Sequence, residues 1–228
     1  MILFTPTKHG AGVRVWGTPV ELMELYETVE RFWNVREPAA EGSTERQRDD
    51  ILANFCYDLR HGFMGMRTVA ARHPVDKTPG EYYAVEITWT YILFYMAVLR
   101  YNMRTRPCTE AELALVGQVE EALREAIRGY SKPYAHAILP YLEGALYCEN
   151  PHLMQYMEYI NYQHIYRVRY STPKNAFSYL ARYMTGSIYD SFHYNDILQY
   201  LKRVSKRLGC DISHLSYNYD LPPYDFEW

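Results

Sequence analysis

Two stretches of the chain depart from an ordinary mixture of apolar and polar positions. Residues 55–67 (FCYDLRHGFMGMR) set Asp58, Arg60 and His61 among apolar side chains, and residues 82–99 (YYAVEITWTYILFYMAVL) are apolar on every face with one charge, Glu86. A segment without a polar face predicts a helix buried on all sides. A carboxylate on such a helix needs a partner, and the first stretch supplies cations. Glu86 is therefore expected within salt-bridge or hydrogen-bond reach of Arg60 or His61. The helix around residues 55–67 would lie against the buried one.

Other elements are marked by their ends. Thr18, Pro19 and Glu21, and again Thr78, Pro79 and Glu81, place a hydroxyl at the cap, proline at the first helical position and glutamate at the third. Thr109 and Glu112 repeat the box without proline, while Asn150–Pro151 and Thr172–Pro173 are weaker starts. Gly129 and Gly209 follow apolar periodic runs and suit left-handed C-terminal caps. Residues 2–5 and 12–16 read as two short strands around Lys8, His9, Gly10 and Ala11. Helices are expected near 19–33, 44–65, 79–104, 109–128, 151–169, 173–185 and 190–208, with 133–149 broken by Pro140. The loop 35–44 is a polar gap too short for an interdomain linker, and no internal repeat stands out. The aromatic-rich tail 210–228 reads as an irregular strap on the body.

The pattern predicts a mainly α fold: about eight helices around a central apolar helix, with a short N-terminal β-hairpin (1–17), in one domain over residues 1–228. The charge-free run 87–99 is too short to span a bilayer and is bracketed by Glu86 and Arg100, so no membrane partner is expected. The N-terminus lacks a basic lead before a long apolar region, so no signal peptide is expected either.

Composition adds little except tyrosine. There are 24, of which 17 follow Gly129, and a phenol suits damp cores and interfaces. The net charge of -3 creates no global field toward nucleic acid or anionic lipid. Cys56, Cys108, Cys148 and Cys210 lie far apart without a CxxC pair, which fits reduced thiols in a cytoplasmic protein.

Candidate chemistry is sparse. No phosphate-binding glycine loop, GxSxG elbow or HxxxH spacing occurs, so no cofactor and no metal is expected. Asp58, His61 and Glu86 could form an acid–base or metal-binding set if they converged on one point, and this is the enzymatic reading. The alternative, that Glu86 is neutralised inside the protein, is preferred because buried ion networks have the same composition. Residues 156–183 mix tyrosines with Arg167, Arg169, Lys174 and Arg182, as a single-stranded nucleic-acid site would. The same tyrosines recur at three and four, the spacing of a packed helix face. Nucleic acid therefore ranks last among partners, and Arg60 is a binding candidate only through the first cluster. The cationic end Lys202, Arg203, Lys206 and Arg207 reads as a solvated face.

Three stretches resemble an uncharacterised bacterial family, a domain of unknown function. They are the hairpin from Thr5 and Pro6 through Gly12 and Val13 to Gly17; the box Cys56, Tyr57, Asp58, Leu59, Arg60, His61; and the run VEITWTYILF from Val85 to Phe94. The resemblance spans about residues 5–105 and implies a small bacterial cytosolic protein, with no activity, cofactor or catalytic residue attached. The leading expectation is a non-enzymatic interaction or assembly protein, partnered by itself or by another protein.

Overall fold

The computed structural model describes residues 1–33, 39–217 and 228. It opens with β1 (Leu3–Pro6) and β2 (Gly12–Gly17), the expected hairpin, followed by α1 (Pro19–Glu30) and α2 (Thr44–Phe63). Thr18 caps α1 through the full reciprocal box with Glu21. Then come two strands, β3 (Thr68–Arg72) and β4 (Pro79–Thr88), and after them α3 (Trp89–Thr105) and α4 (Glu110–Tyr130). The chain continues through α5 (Lys132–Ile138), a 3₁₀ turn that begins just before Pro140, α6 (Leu153–Tyr170), α7 (Pro173–Met184) and α8 (Phe192–Leu208). Among the described residues the fold is thus mainly α, with eight helices and a four-stranded antiparallel sheet of order β1-β2-β4-β3.

The sheet corrects the helix expected over 79–104. Residues 79–88 are strand, and the helix begins only at Trp89, capped by the Thr88 hydroxyl. In β4, Val85 and Ile87 are buried on one face, where they oppose Val15 and Val13 of β2. Glu86 alternates to the other face. This period of two was present in the sequence, but the apolar Tyr82 and Ala84 on the same face as Glu86 masked it. Thr78 and Pro79 therefore open a strand, where proline is tolerated at the first position. Gly12 permits the close pairing: a Cβ there would lie 2.0 Å from the Ile87 carbonyl oxygen.

The core face of the sheet packs on α1 and α2, and Gly62 of α2 lies over Val85. Trp89, Ile92, Leu93, Phe94, Tyr95, Met96, Val98 and Leu99 of α3 are all buried, against α2 and α6 among others. Each fully buried side chain of this size contributes about 1.5–3 kcal/mol of transfer free energy. Gly209 caps α8 with a φ of 67°, as expected, whereas α4 runs through Gly129 to Tyr130. In the tail, Ile212 and Leu215 are buried and the Gln155 amide of α6 donates to the Ser213 carbonyl, so 210–217 does lie on the body. The rest of the expected strap up to Glu227, and positions 35–38 of the expected loop, lie outside the described residues. All four cysteines are free. No helix among the described residues is long and apolar enough to cross a membrane.

Candidate functional site

The first sequence candidates do not converge. Glu86 accepts a hydrogen bond from Arg14 Nε at 2.9 Å and from the Thr68 hydroxyl at 3.0 Å. This corrects the expected pairing with Arg60 or His61, because α2 packs on the opposite face of the sheet. Arg60 is exposed, its guanidinium 5.7 Å from the centroid of the Tyr57 ring. His61 Nδ1 sits 2.7 Å from the Tyr57 carbonyl oxygen, one helical turn back. Asp58 is half-buried and accepts from the Tyr95 hydroxyl at 3.2 Å. Burial pushes its carboxyl up to about 7, against the opposing pull of that hydroxyl and of Arg67. The three residues are thus an acid held by the Tyr95 hydroxyl, a helix-bound imidazole and the acidic half of a cross-strand ion pair. Among the described residues no three histidine, cysteine or acidic side chains stand together as a metal site would need.

The second set is brought together. α7 is amphipathic: Ala176, Phe177, Leu180 and Met184 are buried, which leaves Tyr179, Arg182 and Tyr183 on the other side. α8 buries Tyr194, Ile197 and Leu201 and turns Asp196, Tyr200 and Arg203, spaced by four and three, toward the same side. Together with Tyr159 and Arg167 of α6 these side chains line an open groove of about 470 Å³. Asp196 is the one acid among its described lining residues; Phe192, His193, Ile197 and Gln199 complete the α8 wall.

Arg167 is held in place within the groove. Its Nε donates to the Tyr183 hydroxyl at 3.3 Å, and its guanidinium lies 4.4 Å from the centroid of Tyr179. A planar cation fixed on an aromatic face loses little freedom when it meets an anion. Along the exposed side of α6 runs a row of Tyr162, Tyr166 and Tyr170, with successive ring centroids 6.5 and 4.7 Å apart. Arg169 sits over Tyr170 at 5.9 Å. Residues 153–208 hold 8 basic and 3 acidic side chains, so the remainder of the chain holds 16 and 24. A net charge of -3 thus conceals a basic excess over α6, α7 and α8.

Of the sequence candidates, Arg167 and Arg182 line the groove, Arg169 borders the tyrosine row, and Lys174 stands exposed in the first turn of α7, outside the lining. Sequence reasoning missed Arg203 and Tyr200. It took Arg203 as part of a solvated helix end, although its spacing from Asp196 and Tyr200 already set the three on one face.

A family model described as a domain of unknown function (DUF6904) matches residues 2–228, so the resemblance noted for the first hundred residues extends over the tyrosine-rich half as well. No curated protein and no solved structure matches the chain.

Proposed function

The chain belongs to the DUF6904 family, and we propose that it is a non-enzymatic binding protein that holds an anionic partner in the groove between α6, α7 and α8. The observation that carries this reading is the convergence of Arg167, Arg182 and Arg203 with four tyrosines on one concave surface. Arginine meets carboxylate or phosphate with a fork of donors, and tyrosine adds area at low entropic cost. The charge contrast between these three helices and the rest of the chain, with three arginines against one aspartate in the lining, would turn the groove toward a negative partner. The separation of Asp58, His61 and Glu86 favours binding over catalysis. A cytoplasmic setting is part of the reading, supported by four free thiols, two of them buried.

The test is titration of the protein with labelled heparin and labelled polyglutamate at low salt. Saturable binding of either that weakens with salt, and is lost in Arg182→Glu with Arg203→Glu, is the expected result. Failure of both polyanions and of every oligonucleotide tested would overturn it.

A further inference from the structure

Building on the anion-binding reading of the groove, we infer that the partner is a single-stranded nucleic acid, with phosphates on Arg167, Arg182 and Arg203 and bases on the tyrosine row of α6. The arginines alone would accept any polyanion. The row beside them is what narrows the class. Tyr162, Tyr166 and Tyr170 are 40%, 49% and 66% exposed and belong to no part of the core. A row of exposed rings next to a held guanidinium, that of Arg167, and two further arginines is the arrangement by which proteins hold unpaired bases, because every base presents a π-face.

Spacing separates single strands from duplexes. Positions four apart on a helix advance about 6 Å, and the ring centroids are 6.5 and 4.7 Å apart. Bases stacked in a duplex rise only about 3.4 Å. The rings are also tilted by 28° and 51° to one another, so they match no regular base stack. What they offer is exposed aromatic surface for bases whose faces are free, which a single strand has and a duplex hides in its own stack. An acidic peptide would satisfy the arginines and leave the rings without a role. The local charge agrees: the excess of 5 basic side chains lies over the helices that carry groove and row, while the rest of the chain is acidic and would repel a polyphosphate. Arg167 is pre-positioned by Tyr179 and Tyr183, so a phosphate meets a cation that is already ordered.

The experiment is fluorescence anisotropy with short oligo-dT, oligo-U and a duplex of equal length, set beside heparin and polyglutamate. Single strands should bind more tightly than the duplex, and affinity should fall steeply between about 50 and 200 mM salt. Arg182→Ala and Arg203→Ala should each lower the slope of log affinity against log salt by about 1. Tyr166→Ala and Tyr170→Ala should weaken oligonucleotide binding on the order of tenfold each, with that slope unchanged and heparin binding unaffected. All four side chains lie at the surface or the groove rim, and unchanged thermal melts would show the variants folded. Equal affinity for duplex and single strand, or tyrosine variants that bind oligonucleotides normally, would overturn the inference. So would heparin or polyglutamate binding with oligonucleotides refused, which leaves the anion-binding reading standing. Refusal of every polyanion removes both.

Discussion

Arg14 and Glu86 stand directly opposite each other on β2 and β4, and the Arg14 Nε donates to the Glu86 carboxylate at 2.9 Å. The pair belongs to the sheet, on the face turned away from α1 and α2, and Thr68 of β3 closes it from the third strand. Glu86 thereby ties three adjacent strands together through side chains, in addition to their backbone ladder.

The energetic consequence is modest. Arg14 is 38% exposed and Glu86 14% exposed, so neither is stranded in a dry interior when the other is removed. Cross-strand pairs of this kind contribute about 0.2–1 kcal/mol. A double-mutant cycle of Arg14→Met and Glu86→Gln, read by urea denaturation, should give a coupling in that range. The parallel cycle of Arg60→Met with Glu86→Gln should be additive. Strong coupling in the second cycle would contradict the strand assignment of Glu86.

Asp58 and His164 tilt stability in opposite directions over the same pH range. Burial holds the Asp58 carboxyl at about 7, above its unfolded value of about 3.9. The folded protein therefore keeps a proton that the unfolded chain releases. That contribution is complete below about pH 4 and is lost as pH rises through about 7, on the order of 4 kcal/mol in all. In Asp58→Asn the loss disappears. Melts from pH 4 to 8 should show the variant gaining on the wild type as pH rises, and a constant difference would refute the shifted carboxyl.

His164 works the other way. It is wholly buried, with Nε2 3.3 Å from the Ala11 carbonyl oxygen, and burial holds it down to about 4. The unfolded imidazole takes a proton near pH 6.5 and the folded one does not. Stability from this group is full above about pH 6.5 and is lost as pH falls toward 4, about 3 kcal/mol in all. His164→Gln should therefore gain on the wild type as the solution is acidified from pH 7 to 4. Histidine NMR titration provides the direct check: a His164 resonance that titrates near 6.5 in the folded protein would end the argument.

Two glycines should respond with opposite signs. At Gly12 an added methyl would meet the Ile87 carbonyl of the neighbouring strand, which cannot move without breaking the ladder. Gly12→Ala should cost about 3 kcal/mol or prevent folding. Gly117, inside α4, has open space where its Cβ would stand. Gly117→Ala should stabilise the protein by up to about 1 kcal/mol through helix propensity. Thermal melts of the two variants decide both.

What the sequence determined by itself was local. Hydroxyl caps with a glutamate three residues on, a left-handed glycine at a helix end and apolar periods of three and four are interactions between near neighbours, so α1, α2, α4, α7 and α8 could be read to within a few residues. The hairpin of β1 and β2 belongs with them, since its two strands are separated by a short turn. Tertiary structure decided the rest. Residues 79–88 carry only a masked period of two, which does not by itself exclude a helix; they are strand because β2 and β3 offer them hydrogen-bond partners on both sides. The partner of Glu86 followed from that, since an alternating strand turns it away from the helices that a continuous helix would have turned it toward. The groove followed in the same way. Arg167 and Arg182 were conspicuous along the chain, but Arg203 joined them only because α8 folds back beside α6 and α7. A basic side chain at a helix end has the same sequence whether it faces water or a shared cleft.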